Sequence, residues 1–290
     1  MRIHLVTFAT PRFRHRQLFL GWSAFANKVV DSVRHWTPKK LLAAGFENRC
    51  STIRLSERGS GFYAWKPFII QKKLEEMPEG DIVFYCDVGR TFPYKLLSGS
   101  LQFFLDWMKA HEQSVMPGIQ IPWGGPMSMW TKRDAFVSMS MDTPSVHATA
   151  PIQASFSIWV NNPVSRDIAN EWMAISADRQ LISDDPSKLG FPELPDFYEH
   201  RHDQSLLSLV CLKRCIEGMD VGCDMPPLDA KHPSNITELL SGKTGDFTAQ
   251  GRLVEGLASV VERLEWTVRK WVKFNEPQAR ADAPHNEQVP

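Results

Sequence analysis

The sequence predicts an α/β fold, with a mixed, mostly parallel central sheet flanked by helices, and three observations carry that expectation. The apolar run "IHLVTFAT" (3–10) is closed by Pro11 and has the length of a buried strand. A second run, "DIVFYCD" (81–87), follows a helical stretch and a turn, a β, α, β succession that implies parallel pairing. A third, "PIQASFSIWVNN" (151–162), leads into a helix that opens with Pro163.

Between the first two runs, an amphipathic stretch extends from Gln17 to about Arg34, and "GSG" (59–61) precedes a helix opened by Pro67. A turn at Pro78 to Gly80 delivers the chain to the second strand. Ile82, Val83, Phe84 and Tyr85 suit burial on both sheet faces. From Ser98 to His111 the spacing of Leu101, Phe104, Leu105 and Met108 predicts a helix, and Val115–Pro126 breaks into short pieces around its prolines and glycines. "PVSRDIANEWMAIS" (163–176) is the next helix. "DDPSKLGFPELPDFY" (184–198) is a proline-broken loop of the length usually kept for function. "HDQSLLSLVCLKRCI" (202–216) is a helix with Leu206, Leu209, Val210 and Cys211 inward, and from Arg252 a long amphipathic helix runs to Phe274. No internal repeat or sharp linker divides the chain, so residues 1–250 read as one domain, 251–275 as a C-terminal amphipathic helix and 276–290 as a disordered tail.

Composition narrows the function. Of 290 residues, 33 are Lys or Arg and 33 are Asp or Glu, so no global basic field exists to hold nucleic acid. The five cysteines (Cys50, Cys86, Cys211, Cys215 and Cys223) form no CxxC pair and their odd count argues against a closed disulfide framework, which suits a reducing cytoplasm. Cys211 and Cys215, one helical turn apart, read as buried thiols rather than zinc ligands. The first residues lack the apolar length and cleavage site of a signal peptide, and no run approaches a membrane span.

The informative position is the end of the second strand. In open α/β sheets ligands bind beyond the carboxyl ends of the strands. Asp87 stands at such an end, where a carboxylate can coordinate a divalent cation through oxygen, and Gly89 lets the backbone approach a ligand closely. The plain alternative is an aspartate that starts a turn. "HRH" (200–202) reads as surface or capping histidines, and Asp203 as a helix N-cap or a functional acid. Lys66, beside Trp65 at a helix amino end, is a candidate phosphate contact. "SGKTGD" (241–246) lacks the first glycine of a P-loop, and the acceptor triplet at Asn235 means little without a secretory signal.

"WKPFIIQKKLEEMPEGDIVFYCDVG", "IQASFSIWVNN" and "HRHDQSLLSLV", in that order, resemble the nucleotide-sugar glycosyltransferases of the GT-A fold, especially glycosyltransferase family 8 and related bacterial polysaccharide transferases. The resemblance spans roughly residues 60–210. It implies that Asp87 matches one aspartate of the family's metal-binding Asp-x-Asp, and that Gln153, Ala154 and Ser155 stand where an Asn-Ala-Gly reaches the donor sugar. It puts Asp203 and Gln204 beside the anomeric carbon as catalytic residues. By position in that fold, Thr7 and Phe8 lie near the base and ribose. Cys86 and Gly89 flank Asp87 where a second acid would stand. The late metal- and diphosphate-binding motif has no clean copy; His232, beside Lys231, is its nearest candidate as a metal ligand.

The resemblance thus implies a nucleotide-sugar donor, a glycan or lipid-linked glycan acceptor, a divalent cation (Mn²⁺ or Mg²⁺) and a role in cell-surface polysaccharide synthesis. Asp203 would either stabilise the oxocarbenium-like centre of a retaining reaction or serve as the base of an inverting one. A metal-dependent phosphohydrolase and a non-catalytic glycan or nucleotide-sugar binding module are the rival readings. The helix from Arg252, with Arg263, Arg269, Lys270 and Lys273 beside its apolar stripe, packs on the domain or another subunit. Alternatively it lies peripherally on the inner face of the membrane.

Overall fold

The computed structural model describes residues 1–26, 28–88 and 101–220. Gly89, Cys223, His232 and the long helix and tail expected from Arg252 onward lie outside them, as do the P-loop-like stretch and Asn235.

Seven strands and five longer helices organise the described chain. β1 (Ile3–Phe8) leads through α1 (Arg14–Ala26) to β2 (Ser32–Trp36). α2 (Trp65–Glu76) precedes β3 (Ile82–Cys86), and α3 (Leu101–Ala110) precedes the short strands β4 (Val115–Met116) and β5 (Ile119–Gln120). β6 (Ile152–Gln153) and β7 (Phe156–Val160) are followed by α4 (Pro163–Ser176) and α5 (Asp203–Lys213).

The central sheet has five strands in the order β2-β1-β3-β7-β4. β1 pairs in parallel with β2 and β3, whereas β7 runs antiparallel to both β3 and β4. The sheet is therefore mixed, as expected, but its pairings divide evenly instead of being mostly parallel. The reason is that β7 enters from the opposite end through β6, which pairs with β5 in a separate two-stranded sheet. The expected single strand 151–162 is accordingly two strands, interrupted at Ala154 and Ser155.

β2 corrects a second expectation. Its sequence, SVRHW, is half-exposed and polar because the strand forms an edge, so its pattern continues the amphipathic signal of α1 instead of announcing a strand.

Helices cover both faces of the sheet. Val6, Phe8, Val83, Tyr85 and Trp159 point to one side, where α2, α4 and α5 bring Phe68, Ile69, Trp172 and Leu206. Leu5, Phe84, Phe156 and Ile158 point to the other, against Leu20 of α1 and Phe104 of α3. This is period-2 alternation with both faces buried, which explains the nearly unbroken apolar run in β3. On the first side Trp159 and Trp172 stack with centroids 6.1 Å apart and planes at 4°. At the start of α4 the Asn162 side chain accepts the Ser165 N–H at 2.8 Å, while Ser165 Oγ accepts the Asn162 N–H at 3.1 Å. That reciprocal cap, with Pro163 behind it, is worth about 1 kcal/mol and sets where the helix begins.

Leu206, Leu209, Val210 and Cys211 are buried as expected, but Cys215 is exposed: α5 ends at Lys213 and Cys215 has a left-handed φ of 54°. Among the described residues the cysteines are free, and no helix is long and apolar enough to cross a membrane.

Candidate functional site

A cleft of about 430 Å³ opens at the carboxyl ends of β1 and β3, with Phe8, Phe13, Arg16, Tyr63, Trp65 and Asp87 among its lining residues. β3 puts Asp87 there, and the ladder to β7 continues one step past the strand, since Asp87 N–H donates to Ser155 O at 2.8 Å. Because successive strand side chains alternate, Asp87 lies on the same side as Tyr85, whose hydroxyl donates to Asp87 Oδ1.

Behind Asp87 lies a buried ammonium. Lys66, in the first turn of α2, is 5% exposed, and its Nζ donates to Ala154 O at 3.0 Å and to Asp87 Oδ2 at 3.5 Å. It also lies 2.9 Å from Asp203 Oδ2, an ion-pair distance without a good hydrogen-bonding angle. The rings of Tyr63, Trp65 and Tyr85 stand within 5.3–6.0 Å of the same nitrogen. Ala154 O and Asp87 Oδ2 take two of the three ammonium protons, and Asp203 answers the charge as an ion pair. Lys66 therefore holds protein carboxylates together rather than reaching into the cleft for a phosphate.

The electrostatics follow from this arrangement. Burial alone would lower the Lys66 ammonium, but Asp203 and Asp87 outweigh it and hold the group well above its ordinary value. Burial raises the Asp203 carboxyl to about 6, a rise that Lys66 opposes and Asp87 reinforces. Burial, with the Asp87 charge beside it, also keeps the Tyr85 hydroxyl protonated, as a donor to Asp87 requires. One ammonium against two carboxylates leaves the cluster with an unbalanced negative charge when both acids are ionised, and that charge faces the cleft through the half-buried Asp87.

The wall beside Asp87 is a left-handed turn. Gly59, Ser60, Gly61, Phe62 and Tyr63 all have positive φ, between 52° and 88°. A side chain at position 59 would put its Cβ 2.3 Å from the Tyr63 ring, so glycine is required there by contact as well as by conformation. For the three non-glycine residues this backbone costs roughly 1–2 kcal/mol each. Trp65 Nε1 holds the turn by donating to Gly59 O at 2.9 Å, and Arg179 holds its entry by donating to Glu57 Oε1 at 2.7 Å. Such strain persists where the surroundings enforce it, commonly at ligand sites. Ser60→Gly is expected to stabilise the fold by about 0.5–1 kcal/mol, relief of the left-handed φ exceeding the added chain entropy. Urea unfolding checks this, and a loss of stability would show instead that the Ser60 side chain anchors the turn.

Asp203 enters from α5. It is the first helical residue, with His202 in the capping position at φ 51°, ψ −119°. His200 and His202 are buried at 3% and 2% exposure, so of the two expected placements, surface or capping, the surface one fails and His202 takes the capping one. Their backbone neighbours explain it: His202 Nδ1 meets Ile182 O at 2.8 Å, His200 Nδ1 accepts the Lys132 N–H at 3.2 Å, and the His202 ring packs 5.3 Å from Phe62 of the left-handed turn. Burial lowers both imidazoles below their ordinary range, so each is neutral at pH 7.

The structure thus brings Phe8, Lys66, Asp87, Ser155 and Asp203 to one corner, but in two shells. Phe8, stacked on Trp65 with centroids 4.1 Å apart, and Asp87 line the cleft. Lys66 and Asp203 lie behind them. Ser155 adjoins Asp87 through its carbonyl, and its buried Oγ has no hydrogen-bond partner among the described residues. Thr7, two positions after Leu5, shares its α1 side of the strand, its carbonyl accepts from Gln17 Nε2 at 2.9 Å, and it is not in the cleft lining. Gln153, in β6, and Gln204, whose N–H meets Arg201 O at 3.1 Å, also stand outside that lining.

Four contributors escaped the sequence reading: Tyr85, Tyr63, Phe13 and Arg16. Tyr85 was available from strand alternation, two positions before Asp87; Arg16 and Tyr63 carry no local signal. Compared with protein-family models and with curated proteins, the chain matches none.

Proposed function

We propose that the chain is a GT-A-type glycosyltransferase that moves a sugar from a nucleotide diphosphate donor to a glycan acceptor, acting in cell-surface polysaccharide synthesis at the cytoplasmic side of the membrane. The observation that carries the reading is the convergence of Asp87 and Asp203 on the buried Lys66 at the carboxyl edge of the sheet, under a cleft walled by aromatic rings. That is where an α/β sheet receives a nucleotide.

In this reading the half-buried rings of Phe13 and Tyr63, above the buried Phe8–Trp65 pair, offer stacking surface to the base. Asp87 is the carboxylate that the described cleft residues present to a divalent cation, with Tyr85 and Lys66 fixing its two oxygens. Its exposure toward the cleft and the negative balance of the cluster fit such an ion, although among the described residues no three His, Cys, Asp or Glu side chains gather as a ready-made site. A bound Mn²⁺ or Mg²⁺ would supply charge stabilisation at the leaving diphosphate. Asp203, 3% exposed, serves as a positioning residue that keeps Lys66 against Asp87.

The test is thermal unfolding with UDP, GDP, CMP and dTDP sugars, with and without Mn²⁺, on the wild type and Asp87→Ala. One donor at a hundredfold excess over its Kd should stabilise the wild type by about 2.7 kcal/mol, and the variant should lose that gain. Transfer to an added glycan then separates a transferase from a phosphohydrolase. No stabilisation by any donor would sink the reading.

A further inference from the structure

Away from the cleft lies an open depression of about 540 Å³, with Ser128, His147, Leu194, Pro195 and Asp196 in its lining. Its polar groups are fixed in advance. Ser128 Oγ donates to Asp196 Oδ2 at 2.5 Å, and His147 Nε2 lies 2.9 Å from Asp142 Oδ1. The rest of the floor is proline, leucine and alanine.

Two exposed aromatic side chains stand next to it in the chain. Tyr198, two residues past Asp196, is 72% exposed, and Trp123, three residues before the lining Pro126, is 67% exposed. Trp130 braces this surface. Its Nε1 donates to Gly124 O at 2.6 Å, its ring meets Tyr198 edge-on at 5.5 Å, and the Arg201 guanidinium lies 4.1 Å from its centroid. The same segment leads straight to the buried carboxylate behind the cleft: Arg201 N–H and Ser205 Oγ both donate to Trp130 O, at 2.9 and 2.5 Å, on either side of Asp203.

A sugar ring presents an apolar C–H face and a rim of hydroxyls. An apolar floor, an exposed aromatic ring and a few preset acceptors match both aspects. The Asp196 carboxylate in the floor disfavours a phosphate or a uronate. A protein partner would call for a larger continuous apolar core than this mixed surface offers.

We infer that this depression, together with Tyr198, whose N–H is tied to Met129 next to the lining Ser128, and with Trp123 near it in the chain, binds a neutral saccharide unit, and that the unit belongs to the acceptor glycan. The second half rests on the transferase reading; the first does not.

The experiment is saturation-transfer difference NMR of the full chain with maltotriose, cellotriose and chitotriose, and with trigalacturonate as the anionic control. At least one neutral trisaccharide is expected to give signals that fall fivefold or more in Tyr198→Ala, Trp123→Ala and Asp196→Asn, with any nucleotide-sugar thermal shift unchanged. The two aromatic side chains are exposed, so their removal spares the fold; unfolding curves confirm it. Absence of binding by every neutral trisaccharide, persistence of binding in all three variants, or displacement by a nucleotide would overturn the inference. Saccharide binding lost in the variants, with no donor shift in the wild type, would keep the site and discard the transferase.

Discussion

Lys66→Met is expected to destabilise the protein by about 3–5 kcal/mol, the usual cost of stripping one partner from a buried ion pair. At roughly 2–4 °C per kcal/mol for a chain of this size, thermal unfolding should shift down by about 10 °C. The methionine replaces the stem but leaves Asp203, 3% exposed, without its counter-ion and Ala154 O without its donor. Asp87 also loses the contact that fixes Oδ2, so the nucleotide-dependent stabilisation that the transferase reading expects should disappear in the folded variant. Adding Asp203→Asn to Lys66→Met should return part of the stability, because the orphaned charge is then gone. A loss below 1 kcal/mol, or strict additivity of the two substitutions, would mean that the pair is not coupled as described.

The second large effect concerns pH. Asp203→Asn is expected to remove a pH-dependent stability difference on the order of 3 kcal/mol between about pH 4 and 6. The carboxyl moves from an ordinary 3.8 to about 6 through burial first, with Lys66 opposing and Asp87 reinforcing the shift. The folded chain therefore holds this proton more tightly than the unfolded chain. The stability it contributes is fully present below about pH 4 and is lost as pH rises through about 6. Asp134 and Asp142 tilt the protein the other way. Their carboxyls are buried to a degree, which alone would raise them, but backbone N–H donors around Asp134 and the Arg133 side chain at Asp142 hold both below the ordinary value. Their stabilisation is lost as pH falls. They cancel when wild type and variant are compared at each pH, so the quantity to measure is that difference by urea unfolding. A difference flat across the window would place Asp203 in water.

What the sequence disclosed was what its local pattern encodes. β1, β3 and α4 were legible because apolar runs, a proline at the helix start and a capping residue act over a few positions. Asp87 was legible as a strand-end acid for the same reason. The direction of β7 was not, since antiparallel pairing with β3 is decided by how the chain returns through β6. For "HRH" the capping alternative was legible at His202, but the burial of both histidines was not, because it depends on Ile182, Lys132 and Phe62, all remote in sequence. The left-handed turn was only hinted at by Gly59 and Gly61, which permit such a backbone without demanding it from Ser60, Phe62 and Tyr63.

The ion pair between Lys66 and Asp203 also has a consequence for how the protein comes into being. On the ribosome, α2 emerges while α5 is still unmade, so its lysine has Asp87 and Ala154 O as partners but lacks Asp203 until the last described helix docks. Closing so long a stretch of chain is entropically costly and contributes nothing until both ends are present. Asp203 is therefore the last member to join the cluster, after Tyr85 and Lys66 are available to hold Asp87. On the transferase reading, donor capture at Asp87 then belongs to chains in which α5 has docked and Asp203 holds Lys66 in place.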